Sequence, residues 1–173
     1  MELRSERLVL RTISATDHGR VFSGLSHPDV IRYYGVSYRT YEATQEQMDW
    51  YATLTHESTG HWWAIRSKAS DDFLGAIGLN NIVQAHRGCE VGFWLLPEHW
   101  GKGYVPEALP LVVGHAFSTL ALHRIVAEVE TENLASANVL KRAGFVREGT
   151  LRECEVKNGR YLSLDVYALL NKT

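Results

Sequence analysis

Apolar positions in the first half of the chain follow two periods, one typical of strands and the other of helices. Three short apolar runs follow one another closely after residue 60. Polar or glycine-containing breaks separate them, as in an antiparallel meander. The predicted elements are a strand at 8–13, helical segments at 16–34 (broken at His27-Pro28) and 42–57, and strands at 62–67, 73–81 and 89–96.

After residue 100 the pattern changes to strands that alternate with helices. An apolar face predicts a helix over 106–120, and we expect its two prolines, Pro106 and Pro110, to lie near the first turn. A helix over 133–143 ends at Gly144, and strands are predicted at 124–130, 146–154 and 162–170. This order predicts the α/β class, with a mixed sheet of about seven strands and flanking helices in one domain over residues 1–173.

Composition and charge exclude several functional classes. The chain is 45% hydrophobic and has a formal net charge of −2, so it has no electrostatic signature of a nucleic-acid or anionic-membrane partner. No apolar stretch is long enough to span a bilayer, and the charged first seven residues lack a signal-peptide core. Cys89 and Cys154 are isolated, which favours a reduced, cytoplasmic protein.

A glycine-containing loop, Trp100-Gly101-Lys102-Gly103-Tyr104, lies where a predicted strand ends and a helix begins. Its backbone N–H groups and the positive end of the helix dipole would suit a pyrophosphate. The loop lacks the Gly-Lys-Ser/Thr ending of a mononucleotide loop and the third glycine of the dinucleotide fingerprint. Taken alone, a tight structural turn is the commoner explanation of such a loop.

The helix over 133–143 carries three polar residues that could reach a ligand. Asn133 can cap the helix or point into a cleft. Asn138 and Lys141 lie three residues apart, so they share a helix face, and Lys141 could supply a point charge for a phosphate. Taken alone, Asn133 is better explained as a helix cap and Lys141 as a solvated surface charge.

Taken in order, the segments 90–95, 100–108 and 133–145 resemble the GNAT acetyltransferases. The chain is most similar to the branch that contains the ribosomal-protein-alanine N-acetyltransferases, which also begins with a strand like 6–11. The resemblance implies a GNAT-like fold with acetyl-CoA as cosubstrate, held in a central splay between the fourth and fifth predicted strands. The residues expected to bind it are Phe93, Trp94, Leu95, Trp100, Gly101, Lys102, Gly103, Tyr104, Val105, Asn133, Asn138 and Lys141.

The resemblance also implies direct transfer of the acetyl group to an amine in a ternary complex. Glu90 matches a carboxylate that would accept the amine proton through water, although an exposed charge at a strand end is the alternative. Many family members carry a tyrosine acid on the last helix, but Leu140 occupies that position here. Ser136 is the remaining candidate to protonate the leaving sulfur, or else a hydroxyl on the helix surface.

The acceptor is expected to bind against the aromatic region between the first two strands. Its candidate residues are Tyr33, Tyr34, Tyr38 and Trp50, for which core packing is the alternative. The branch resemblance favours a protein N-terminal α-amine as acceptor. A small amine (a polyamine, an amino-acid derivative or an antibiotic) and an acyl-CoA sensor without turnover stay open. No histidine or cysteine spacing suggests a metal, and a homodimer through a sheet edge is one allowed assembly.

Overall fold

A computed structural model describes residues 1–172, so Thr173, the last residue of the expected domain, lies outside the described part. The strands are β1 (Glu2–Arg4), β2 (Leu8–Thr12), β3 (His61–Ser67), β4 (Phe73–Val83), β5 (Gly88–Leu95), β6 (Arg124–Glu130), β7 (Val146–Lys157) and β8 (Arg160–Leu170). The helices are α1 (His18–Leu25), α2 (Pro28–Ile31), α3 (Gln45–His56), α4 (Tyr104–Gly114) and α5 (Leu134–Arg142). No helix within residues 1–172 is both long and apolar enough to cross a membrane.

The strands form one mixed sheet in the order β1-β2-β3-β4-β5-β6-β8-β7. The predicted α/β class is confirmed, but the sheet has eight strands instead of about seven. The additional strand is β1, which pairs antiparallel with β2 and places Leu3 opposite Leu10. Three residues, two of them charged, are too short a stretch to show a strand period, so the pattern did not reveal β1.

Each face of the sheet is covered by a different set of helices. On one face, α4 and α5 bury residues such as Leu109 and Leu140 against Ile125. On the other face, helices α1 to α3 contribute Val21, Leu25, Val30, Met48, Tyr51 and Leu54 to a second cluster. Because side chains alternate along a strand, each central strand contributes to both cores.

Helix α4 contains a proline in its interior. Pro106 lies in the first turn as expected, but Pro110 lies six residues after the start of the helix at Tyr104, so its predicted position was wrong. A proline at this position cannot donate to the carbonyl of Pro106. The helix continues as a π-helical segment at His115–Thr119, a form that accommodates one extra residue per turn.

Among the described strands, only β5 and β6 pair in parallel. Their contact lies at the centre of the sheet and is short. Residues Gly88–Glu90 of β5 pair with Arg124–Val126 of β6, and no pairing follows beyond Glu90. The two strands therefore diverge toward the end of β5, while β4 stays paired with β5 as far as Leu95. The fold thus leaves a gap inside the sheet, at the position where the splay was expected.

Helix α1 approaches this gap closely at a glycine. A Cβ atom at Gly24 would lie 2.1 Å from Cζ3 of Trp94, far inside van der Waals contact. The Trp94 ring is buried, with 4% of its surface exposed, so it has little room to move. Gly24 therefore allows α1 to pack directly on the indole that borders the gap.

We expect Gly24→Ala to lower the free energy of unfolding by about 1–3 kcal/mol, because the added methyl overpacks a closed core site. Urea unfolding followed by tryptophan fluorescence measures this change. Gly19→Ala is the matched control: Gly19 lies in the same helix, and its Cβ would meet nothing within 4 Å. Equal stability of the Gly24 variant and the wild type would contradict the packing argument.

Candidate active site

A cavity of about 640 Å³ opens where β5 and β6 diverge. One wall is the end of β5, a second is the start of α4, a third is α5, and α2 with the turn after it forms the fourth. The lining residues are Asp29, Val30, Arg32, Tyr33, Tyr34, Phe93, Trp94, Leu95, Trp100, Gly101, Gly103, Tyr104, Val105, Pro106, Asn133, Ala135, Ser136, Val139 and Arg142.

The loop before α4 presents unused backbone donors to this cavity. Gly101 and Gly103 have φ angles of +71° and +77°, which residues with a Cβ rarely adopt. Within residues 1–172, the N–H groups of 101–105 have no hydrogen-bond acceptor. They lie at the N-terminus of α4, where the helix dipole is positive. Unused backbone donors at a helix N-terminus are an arrangement that can bind an anion.

Arg7 holds this loop from outside the cavity. Its guanidinium donates to the carbonyl of Lys102 at 3.0 Å and to that of Gly103 at 3.4 Å. The same group contacts the Glu107 carboxylate at 2.7 Å and lies 4.9 Å from the ring centroid of Tyr104. In a trans peptide the C=O and the following N–H point in opposite directions. Anchoring these two carbonyls therefore turns the N–H groups of Gly103 and Tyr104 away from Arg7.

The hydroxyl of Ser136 is oriented by the residue that caps α5. Asn133 Oδ1 accepts the backbone N–H of Ser136 at 3.2 Å, and Asn133 Nδ2 donates to Ser136 Oγ at 3.0 Å. Asn133 therefore acts as a helix cap and also lines the cavity. Because Ser136 Oγ accepts from Asn133, its own proton is available for a group in the cavity.

Two of the expected cofactor residues on α5 lie outside the cavity lining. Burial of Ala137 and Leu140 in the core fixes the rotation of the helix. This rotation turns Asn138 and Lys141 to the exposed side. The pKa of the Asp165 carboxyl is lowered by hydrogen bonds from Thr150 and Arg147, and Lys141 adds the smallest contribution. Lys102 also lies outside the lining.

The cavity face of α5 carries residues that the sequence analysis missed. Ala135, Val139 and Arg142 line the cavity together with Ser136, at the three- and four-residue spacing of one helix face. The buried positions of this helix could have revealed that face from the sequence. Arg142, instead of Lys141, places the positive charge of α5 at the cavity.

Glu90 lies near the gap but is not part of the cavity lining. It lies on the α1–α3 face of the sheet, like Trp94, and Asn80 Nδ2 donates to its Oε2 at 3.3 Å. Glu128 of β6 lies on the same face. Partial burial, and then the charges of Glu90 and Glu155, raise the pKa of the Glu128 carboxyl. Two carboxylates therefore lie on the face opposite α4 and α5.

The four aromatic residues expected at the acceptor site separate into three places. Tyr33 and Tyr34 line the cavity, and burial raises the pKa of Tyr34 well above its ordinary value. Tyr38 lines a second depression of about 810 Å³, and its hydroxyl donates to Gln47 Oε1 at 3.0 Å. Trp50 lies outside both and packs on Tyr51 and Trp62, so it belongs to the surface of the helical core.

We call the second depression the polar groove. It is lined by parts of the segments 26–39, 130–132 and 157–163, and it shares Arg32, Tyr33 and Tyr34 with the cavity. Lys157, at the tip of the β7–β8 hairpin, closes one side of it. The ammonium of Lys157 lies 2.9 Å from Glu130 Oε1 and donates to the carbonyl of Arg32 at 2.7 Å.

Among residues 1–172, no group of three or more histidine, cysteine or acidic side chains is arranged to hold a metal ion. The expectation that the protein needs no metal stays a prediction.

A family model described as an acetyltransferase (GNAT) domain matches residues 7–146, which is most of the chain. The chain belongs to the GNAT family of acetyltransferases. It is therefore an acyltransferase, and the family expected from the sequence is confirmed.

Relatives of this GNAT chain differ in the acceptors that their names state. The chain is 36% identical to the uncharacterized N-acetyltransferase YoaA of Bacillus subtilis, over 97% of the chain and 96% of that protein. It is 30% identical to a spermidine N(1)-acetyltransferase of Vibrio cholerae, over 76% of each chain. It is 33% identical to a ribosomal-protein-serine acetyltransferase of Escherichia coli, over 57% of this chain and 55% of that one.

Solved GNAT structures share the whole architecture. Spermidine N-acetyltransferase from Vibrio cholerae, in complex with CoA and spermine, aligns with a TM-score of 0.86 and 24% identity, over 96% of both chains. A ribosomal α-N-protein acetyltransferase in complex with coenzyme A aligns with a TM-score of 0.89 and 20% identity, over 98% of both chains. At these identities the likeness shows the fold.

In this GNAT chain, Leu140 has no contact with the cavity. It is fully buried between α5 and the sheet, so the position expected for a tyrosine acid is part of the core. Ser136 is therefore the hydroxyl that α5 presents to the cavity lining.

Proposed function

We propose that the protein transfers an acetyl group from acetyl-CoA to a primary amine, and that the acceptor is the α-amine of a protein N-terminus. One observation supports this most strongly: the gap between β5 and β6 is a cavity with a backbone anion site at one end. Such a cavity suits a long cosubstrate whose phosphates and reacting group lie far apart.

In this arrangement, the N–H groups of 101–105 bind the pyrophosphate of acetyl-CoA. The pantetheine arm lies along Phe93, Trp94 and Leu95, where β5 has no parallel neighbour. The Leu95 carbonyl already accepts a hydrogen bond from the Trp100 indole N–H at 2.9 Å, which ties the loop over 100–104, here called the anion loop, to the strand end. Arg142 provides a charge for a further phosphate, the role that the sequence analysis gave to Lys141.

The chemistry requires a neutral amine, a polarised thioester carbonyl and a stabilised thiolate. Glu90 accepts the amine proton through a water molecule, and the amine nitrogen then attacks the thioester carbon. The backbone N–H of Leu95, which faces the gap because the N–H of Leu96 bonds to β4, stabilises the oxyanion of the tetrahedral intermediate. When the C–S bond breaks, the Ser136 hydroxyl hydrogen-bonds to the departing sulfur, and the surplus proton of the attacking nitrogen passes to that sulfur, so that CoA leaves as its free thiol. Positioning of both substrates in one complex contributes further.

The choice of acceptor rests on the polar groove. It opens beside the cavity and extends to the exposed hairpin tip, so an extended chain could lie in it with its amine at the gap. The similarity to a spermidine acetyltransferase supports a small amine as the second candidate. A cytoplasmic location and a homodimer stay predictions from the sequence.

The direct test is acetyl transfer to a panel of amines, combined with calorimetry of acetyl-CoA binding. We expect turnover with peptides that have a free α-amine, and none with the same peptides acetylated at the N-terminus. Spermidine and amino-acid amides complete the panel. Faster turnover of these small amines would contradict the protein N-terminus. Binding of acetyl-CoA without turnover of any amine would favour a sensor.

Arg7→Met should raise the KM for acetyl-CoA about fivefold and leave kcat nearly unchanged, because it releases the loop carbonyls without touching the reacting atoms. Steady-state kinetics with acetyl-CoA as the varied substrate measures both constants. Arg4→Met is the control, since Arg4 pairs with Glu2 on β1 and does not contact the loop. Identical KM values for the two variants would exclude the anchoring role of Arg7.

If Glu90 is the base, Glu90→Gln should lower kcat/KM by about 100-fold and remove the loss of activity at low pH. The pH dependence of kcat/KM tests this. Glu128→Gln is the matched control on the neighbouring strand. An unchanged pH profile in Glu90→Gln would eliminate Glu90.

The same two variants also test the alternative that Glu128, and not Glu90, is the general base. Loss of the Glu90 charge removes one of the causes that raise the pKa of Glu128, so that pKa should fall. Activity that depends on ionised Glu128 would then persist to lower pH in Glu90→Gln, with little loss of rate. Only Glu128→Gln would remove the activity.

A further inference from the structure

The polar groove is the path by which an acceptor would reach the gap. It shares Arg32, Tyr33 and Tyr34 with the cavity, so a molecule in the groove is adjacent to the space between β5 and β6. The groove lies between α2 with its following turn on one side and the β7–β8 hairpin on the other. Charges along these two sides therefore act directly on an acceptor.

The acidic side chains of the groove are largely neutralised. Glu130 is paired with Lys157 at 2.9 Å, and only 11% of its side chain is exposed. Glu132 is the other acidic residue in the lining. Within the groove lining, Glu132 is therefore the one carboxylate without a salt-bridge partner among residues 1–172, whereas Glu90 and Glu128 lie beyond the groove, near the gap.

The arginine side chains of the groove, unlike Lys157, have no salt-bridge partner among residues 1–172. Arg32, Arg39 and Arg160 are exposed, and within residues 1–172 none of them forms a salt bridge. The Arg32 guanidinium lies 5.1 Å from the ring centroid of Tyr33, which borders the cavity. Three unpaired guanidinium groups thus line both sides of the groove, and guanidinium groups bind carboxylates in a forked geometry.

We propose that the polar groove selects acceptor peptides with acidic residues directly after the reacting α-amine, through Arg39 and Arg160. This inference rests on the proposed function and specifies its substrate class. The free amine lies at the gap, and the side-chain carboxylates of the next residues lie between the two arginines. The groove repels spermidine, because its ammonium groups would approach three guanidinium groups.

The size and openness of the groove favour a peptide over a single amino acid. A volume of about 810 Å³ is in the range of sites for drug-sized ligands, which exceed one amino acid. The groove ends at the hairpin tip, where Tyr161 is 69% exposed and offers an aromatic surface to a passing chain. A peptide can continue past this point into solvent.

The experiment compares three peptides of equal length and identical first residue, with acidic, neutral or basic side chains at positions two to four. We expect kcat/KM to be about tenfold higher for the acidic than for the neutral peptide at low salt, and lowest for the basic one. The difference should lie in the KM for the peptide. It should shrink as salt screens these exposed charges.

Arg39→Glu and Arg160→Glu should each lower kcat/KM for the acidic peptide about two- to fivefold and raise it for the basic peptide. The matched control is Arg152→Glu, on the same hairpin. Arg152 lines neither the cavity nor the groove and lies five residues before Lys157 on β7. The KM for acetyl-CoA should not change in any of the three variants.

Equal kcat/KM for acidic and neutral peptides would overturn this inference while leaving the acetyltransferase proposal intact. A preference that survives both arginine reversals, or one that Arg152→Glu removes equally, would also overturn it. Faster turnover of spermidine than of the acidic peptide would likewise overturn the inference that the groove selects acidic peptides. Absence of turnover with every amine would instead reject the proposed function, and this inference with it.

Discussion

The short contact between β5 and β6 is the constraint on which the rest of the site depends. Three residues of each strand pair, and the two strands then separate within an otherwise continuous sheet. A sheet normally satisfies the backbone groups of its central strands by pairing. Here the end of β5 is left open on one side, and α4 and α5 begin at the edges of the opening. The open edge of β5, the placement of the two helix N-termini and the cavity therefore all follow from the end of β5–β6 pairing at Glu90.

The gap also joins the two faces of the sheet. The anion loop and Ser136 belong to α4 and α5, which pack on one face. Glu90, Glu128 and the helices of the acceptor region belong to the other. In an unbroken sheet the hydrogen-bonded backbone of the sheet would lie between these groups. In the proposed function, the opening would let a cosubstrate from one side meet an amine from the other without either face losing its hydrophobic core.

Much of this arrangement could be predicted from the sequence. The antiparallel meander, the alternating strands and helices that follow it and the Gly101–Gly103 loop each depend on residues close together in sequence. Such local patterns can be recognised in the sequence alone. The rotation of α5 about its axis is harder to predict from the sequence, because several rotations are compatible with its cap, its residue spacing and its charges. Only the burial of Ala137 and Leu140 selects one. Arg7 could not be found in this way, since its partners lie about a hundred residues away in sequence and meet it only after folding.

The contact between Arg7 and the loop carbonyls has a practical meaning for the beginning of the chain. Backbone N–H groups that face the cavity are oriented by a side chain that never enters it. Shortening the chain past β1 and Arg7 would remove a peripheral strand, and it would also release the carbonyls of Lys102 and Gly103 that Arg7 holds. Fusions and truncations at this end therefore act on the anion loop even though they lie outside the cavity.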